Sequence, residues 1–150
     1  MTSTPQRQCA QAVLDVVPAV MRVIRAEMRG RRLDLSVPQL RLLLFVARHD
    51  GSSLREVACH LGLTPPSASK MVDVLERRAL LRRRASSQDR RRITLALTPA
   101  GSSRLKQALA ETRRRLCARM EELEPAELET VTAAMGVLRR TFPASGSTER

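Results

Sequence analysis

Between Arg77 and Arg92 the chain carries eight arginines, at 77, 78, 82, 83, 84, 90, 91 and 92, against a single acid, Asp89. Guanidinium groups at this density repel one another, so the cluster costs folding free energy unless something negative lies against it. Arg90, Arg91 and Arg92 follow a polar run and lead directly into an alternation in which Thr94, Ala96 and Thr98 separate Ile93, Leu95 and Leu97. That period of two predicts a half-buried strand. Leu81 to Arg84 is its partner, with ASSQDRR (85–91) as the connecting loop. A hairpin tip can carry arginine beyond the globule, and the narrow minor groove of duplex DNA, with its enhanced negative potential, accepts such a side chain. The competing reading is a solvated charged surface.

The elements before the hairpin predict how it would be presented. Ser53 and Glu56 form a capping box, and Leu54, Val57, Ala58 and Leu61 make a short amphipathic helix stopped by Gly62. Thr64 then caps a second helix with Pro65 at its first position. Two short capped helices joined by a glycine-containing turn are a helix-turn-helix pattern. At 100° per residue, Ala68, Met71, Val72, Leu75 and Ala79 fall on one side of the second helix. Ser67, Lys70, Asp73, Val74 and Arg77 fall on the other, with Asp73 expected to pair with Arg77 four residues on. Such a helix enters a major groove by its N-terminal end. Ser67 and Lys70 would reach base edges or phosphates, while Ser53 and Thr64 set helix N-termini against the backbone, if they are more than caps. The candidate DNA-facing set is Ser53, Thr64, Pro66, Ser67, Ser69, Lys70, Arg77, Arg84, Asp89, Arg90 and Arg91.

Composition narrows the function classes. The 150 residues suit one domain with an adequate core. The net charge of +12, from 27 basic against 15 acidic residues, implies a polyanionic partner. A biased genome would explain arginine over lysine, but not the excess over acids. With no Trp, no Tyr and only Phe45 and Phe142, stacking on nucleic-acid bases is excluded as a main mechanism. Cys9, Cys59 and Cys117 are an odd number, far apart, and His49 and His60 are lone, so neither a disulfide framework nor a metal site is expected. Cys59 and Cys117 read as small helix residues. No glycine-rich phosphate loop and no catalytic constellation can be assembled, so the expectation is no enzyme and no cofactor. The absence of a long apolar span or signal-peptide core points away from the membrane and to the cytoplasm.

Helices are predicted on both sides of this reader. Val13, Val17, Val20, Ile24 and Met28 lie on one helical face, with a kink or restart at Pro18. Ser36 and Gln39 box the start of an apolar helix that contains LRLLLFVA and ends at Asp50-Gly51. Thr98-Pro99 opens a helix with the stripe Leu105, Leu109, Leu116, Met120 and Leu123. A last helix from about Pro125 repeats Leu128, Val131, Met135, Leu138 and Phe142 in heptad fashion. These stripes need another surface, which intertwining with a second copy supplies better than a monomeric bundle. A two-fold dimer would set its readers about 34 Å apart and require a near-palindromic site. The fold class is thus mainly α with a small β-hairpin wing, a winged helix-turn-helix flanked by N- and C-terminal dimerisation helices. Residues 1–35 hold the N-terminal dimerisation helix, 36–100 the reader, 101–143 the C-terminal dimerisation helices and 144–150 a disordered tail.

From Val20 to Phe142 the chain resembles the MarR family of bacterial transcriptional regulators. The resemblance rests on LTPPSASKMVDVLERRALL (63–81), on Asp89-Arg90-Arg91, and on the alternating strand that runs into Leu97-Thr98-Pro99-Ala100-Gly101. Ala79 stands where the family usually has glycine. The resemblance implies a dimer that binds palindromic operators, commonly represses, and releases DNA on binding a small molecule or on oxidation. It makes Arg91 the minor-groove arginine, with Arg90 as the alternative, and has Asp89 brace the wing. It also implies a pocket for a small aromatic or phenolic effector, placed by position at Arg25, Met28, Leu40 and Leu44. A peroxide-sensing branch of the family uses a cysteine near the position of Cys9. The tyrosines that accompany it are absent here, which favours an incidental thiol over a redox-sensing repressor. The remaining rival is a winged helix used for protein contact or for sequence-blind nucleic-acid binding.

Overall fold

The computed structural model describes residues 4–28, 34–86 and 92–143. Its elements are α1 (Pro5–Met28), α2 (Val37–Arg48), α3 (Leu54–Leu61), α4 (Pro65–Arg77), β1 (Leu81–Ala85), β2 (Ile93–Leu97), α5 (Pro99–Arg119) and α6 (Pro125–Thr141). The fold is a winged helix-turn-helix with one helix before it and two after. Asp89, Arg90 and Arg91 lie outside the described residues, as does the 144–150 tail.

Local capping chemistry sets most of the helix starts. Ser36 and Gln39 exchange bonds, the Gln39 N–H donating to Ser36 Oγ at 3.3 Å and the Ser36 N–H to Gln39 Oε1 at 3.0 Å. Helix α2 then buries Leu42, Leu43, Phe45 and Val46, and stops at Arg48, two residues short of the expected Asp50-Gly51. Gly51, at φ +82°, makes the turn that follows. Helix α1 runs unbroken through Pro18, so the expected restart does not occur. Proline leaves the Leu14 carbonyl without its helical partner. That stretch of α1 is exposed, so water can satisfy the carbonyl.

The core gathers Leu42, Leu43 and Val46 of α2, Val57 of α3, Val72 and Leu75 of α4, Leu81 and Leu95 of the hairpin, and Leu105 and Ala108 of α5. The hairpin is antiparallel, from Leu81 opposite Leu97 to Ala85 opposite Ile93. A free two-stranded hairpin is marginal in water. Here the other edge of β2 is paired too: the Gly51 N–H donates to the Leu95 carbonyl at 3.1 Å, and the Leu95 N–H to the Ser52 carbonyl at 2.8 Å. The expected alternation along β2 is only partly realised. Adjacent Leu95 and Ala96 are both buried, while Ile93 is 60% exposed. Burial follows distance from the core, because Ile93 lies toward the tip of the hairpin.

Thr98 ties the exit of α4 to the start of α5. Its hydroxyl accepts the Gly101 N–H at 2.9 Å and donates to the Ala79 carbonyl at 2.6 Å, while its own N–H donates to the Leu80 carbonyl at 3.2 Å. Ala79 is not on the buried face of α4, as its helical angle suggested. It lies beyond the helix end, exposed, with φ +55°. The left-handed conformation costs an alanine about 1 kcal/mol, which glycine avoids. Ala79→Gly is therefore expected to raise the melting temperature by about 1 °C, net of the added unfolded-state entropy. Thermal unfolding followed by circular dichroism checks this, and a lower melting temperature would contradict it.

The outer helices are far less covered. Glu27 ties α1 to α5 by ion pairs to Arg115 at 3.2 Å and Arg119 at 2.8 Å, and the Arg119 and then Arg115 hydrogen bonds hold its carboxyl below the usual range. Hydrogen bonds from Arg114 and then Arg115 lower the Glu111 carboxyl to about 2. Helix α6 buries none of its residues, leaving Leu128, Val131, Met135 and Val137 exposed, as is Phe142 at its end. Leu14, Val16, Val17 and Val20 are exposed on α1.

Candidate nucleic-acid interface

Helices α3 and α4 meet at a turn in which Gly62, at φ +67°, bends the chain and the Leu63 N–H donates to the Ala58 carbonyl at 2.9 Å. The apolar face of α4 packs inward through Ala68, Val72 and Leu75. Pro66, Ser67, Lys70 and Arg77 are exposed, and Ser69 is half-buried. Thr64 caps α4: its Oγ1 accepts the Ser67 N–H at 3.4 Å and its hydroxyl donates to Ser67 Oγ at 2.9 Å. No acid stands in the first turn of α4, so its positive end is open to an anion.

The N-terminus of α3 differs. Ser53 caps it, but its backbone N–H and hydroxyl both donate to Glu56 Oε2 at 2.7 Å. These bonds, the backbone one first, hold the Glu56 carboxyl below its ordinary range, helped by the charges of Arg92 and His49. Glu56 thus takes up two of the donors that Ser53 offers at this helix start. Arg55, exposed on the first turn of the same helix, was missed by the sequence reading; an exposed cation at a helix-turn-helix N-terminus was the signal available.

The three arginines of β1 have three different surroundings. Arg83 Nη2 donates to Asp73 Oδ1 at 2.6 Å, and its Nη1 donates to Glu76 Oε2. The Asp73 bond, with the attraction of Glu76, raises its pKa further. Asp73 therefore pairs with Arg83 and not with Arg77. The planar fork of Arg83 engages two carboxylates at once, whereas Arg77 is exposed and offers a single flexible partner. Arg84 Nη2 lies 2.9 Å from both oxygens of Asp50, tying the wing to the turn before α3. Arg82 is exposed and makes no ion pair among the described residues. Arg92 is exposed at the loop end of the hairpin, where the Ser86 N–H donates to its carbonyl at 2.8 Å.

Away from this surface, a cleft of about 390 Å³ lies between the end of α1 and the start of α2, lined by Arg22, Arg25, Met28, Leu35, Ser36, Val37 and Pro38. Of the four expected effector residues it brings together Arg25 and Met28. Leu40 and Leu44 pack against the core. His49 and His60 are not lone: they stack on Phe45, with ring centroids at 4.5 and 4.4 Å. Cys9, Cys59 and Cys117 are exposed free thiols. Among the described residues no group of three or more His, Cys, Asp or Glu could hold a metal ion, and no helix is long and apolar enough to cross a membrane.

Comparison with known proteins gives this geometry a family. A sequence model described as the MarR family matches residues 33–92, from before α2 to the residue preceding β2. The uncharacterized HTH-type transcriptional regulator YhbI of Bacillus subtilis is 30% identical over 118 residues, covering 78% of this chain and 75% of YhbI. YetL of the same organism, named an HTH-type transcriptional repressor, is 27% identical over 127 residues, covering 85% of this chain and 76% of YetL. Among solved structures, RV1404 from Mycobacterium tuberculosis superposes with a TM-score of 0.81 at 21% identity, covering 97% of this chain and 99% of that one. The matched segment contains both reader helices and β1, and the superposition extends to the outer helices. This chain belongs to the MarR family of winged helix-turn-helix transcriptional regulators.

Proposed function

We propose that the protein is a homodimeric, sequence-specific DNA-binding repressor of the cytoplasm, released from its operator by a small aromatic or phenolic effector. The observation that carries this reading is the charge of the α4 surface. Its first turn holds no acid, Lys70 and Arg77 are exposed, and its two acids, Asp73 and Glu76, are both engaged by Arg83. The outward face is therefore effectively cationic and open to a major groove. The wing adds Arg82 and Arg92, with Arg91 or Arg90 as the minor-groove side chain and Asp89 as its brace.

The exposed apolar residues of α1 and α6 support a dimer, because monomers rarely leave so much aliphatic surface open. Residues 1–35 and 101–143 would form it, with 36–100 as the reader. A dimer covering two successive grooves represses by occupying the site, in keeping with the name given to YetL. The cleft between α1 and α2 supports the effector: Arg22 and Arg25 suit an acidic group, and Met28, Leu35 and Val37 an apolar body.

Selection of genomic fragments, followed by fluorescence anisotropy on the selected and a scrambled duplex, tests the reading. The operator is expected to bind at least ~10³-fold more tightly than the scrambled duplex at physiological salt. Replacing both Lys70 and Arg77 with alanine should weaken binding and reduce the salt slope of the dimer by about 3.6, or about 0.9 for each phosphate no longer neutralised. Equal affinity for both duplexes would instead indicate a sequence-blind binder.

A further inference from the structure

In sequence, Arg82, Arg83 and Arg84 form one basic block, but the structure separates them. Side chains alternate along a strand, so Arg83 faces opposite to Arg82 and Arg84. On its side lie Asp73 and Glu76, three residues apart and hence neighbours on one face of α4. Arg83 is held twice over. Its guanidinium forks between Asp73 Oδ1 and Glu76 Oε2, and its backbone N–H donates to Glu76 Oε1 at 3.1 Å. Strand β1 is therefore gripped on one edge by β2 and on the other by a side chain of the recognition helix.

We infer that Arg83 is a positioning residue: with Asp73 and Glu76 it fixes the root of the wing to the recognition helix, setting the angle between the two DNA-reading elements without touching DNA. This rests on the DNA-binding reading above. Its charge is already matched by two carboxylates, so it releases no counterion when DNA binds. Arg82, exposed on the opposite face with no acid partner among the described residues, is the member of the block that meets a phosphate. Specificity needs the helix and the wing placed together in adjacent grooves, whereas non-specific attraction needs only charge. Loosening this tether therefore costs discrimination more than attraction.

The decisive variant is Asp73→Asn with Glu76→Gln, which keeps the shapes and removes two negative charges beside the DNA. If those acids only repelled phosphates, every duplex would bind more tightly and the operator preference would stand. If they position the wing, scrambled DNA binds as well or better while the operator loses about tenfold, so the specificity ratio falls by tenfold or more. Arg83→Gln should lower the ratio similarly and leave the salt slope unchanged, whereas Arg82→Ala should reduce the slope of the dimer by about 1.8, one phosphate per protomer, and leave the ratio intact. A slope reduced equally by Arg83→Gln, or a double variant with tighter operator binding and an intact ratio, would overturn the inference.

Hydrogen exchange on the free protein separates this from the DNA reading. In the double variant the amides of residues 81–85 should exchange about tenfold faster or more, with those of α2 unchanged. Unchanged protection of β1 would overturn the tether even in a protein that binds its operator. Loss of that protection in a protein with no operator preference would keep the tether and reject the DNA reading.

Discussion

Replacing Gly101 with alanine is expected to lower the stability of the protein by about 3 kcal/mol or more. A Cβ at this position would stand 1.9 Å from the Leu80 carbonyl oxygen and 2.8 Å from its carbon. These are backbone atoms, so no side chain can turn aside to make room. Either the first turn of α5 or the segment after α4 must retreat, and both are fixed by the bonds of Thr98 to Ala79 and Leu80. Urea titration at one protomer concentration checks this: the midpoint should fall while the slope holds. A loss below about 0.5 kcal/mol would mean that α5 moves freely against the reader, as surface substitutions do.

The second large effect is expected on α6. Val131 and Met135 lie one turn apart, exposed, on a helix that buries nothing within its own chain. If a partner protomer covers them, aspartate at both positions must carry two charges into an apolar seam, at several kcal/mol per ion. The double variant should therefore run as a single protomer in light scattering at micromolar concentration. Its operator affinity should fall by at least about 100-fold, since each half-site is then bound alone without the gain from linkage. A variant that keeps the dimer mass would place the interface elsewhere. One that turns monomeric without losing operator affinity would show that a single reader suffices.

How much of this was legible in the sequence depends on how far each interaction reaches along the chain. The caps at Ser36, Ser53, Thr64 and Thr98 each use partners three residues on, and all four form as the residue types dictate. The two strands of the hairpin were readable because the apolar run of β2 and its polar loop are contiguous. The pairing of Asp73 was misread for the opposite reason. Its helical neighbour Arg77 was visible at spacing four, but Arg83 reaches it only once the chain has folded back. Arg84 with Asp50, and Glu27 with Arg115 and Arg119, are similarly products of tertiary packing.

Two other features were present in the sequence without their cause. The glycine of the Leu97-to-Gly101 signature carried the family resemblance, but only the approach of Leu80 explains why a side chain is excluded there. Ala79 was assigned to the inner face of α4 by its angle, which holds only while the helix continues; its positive φ ends that continuity. At the interface, the capping box of Ser53 with Glu56 was legible, because both of its partners lie within one turn.

The hydroxyl of Thr98 has a mechanical consequence. By pinning the near end of α5 to the exit of α4, it turns α5, a helix of 21 residues, into a lever arm about 31 Å long at 1.5 Å per residue. Were the far end clamped in a two-fold assembly, a swing of about 5° would displace each reader by roughly 3 Å, close to the rise of one base pair. Small rotations among the outer helices would thus be enough to move the pair of readers in and out of step with the duplex.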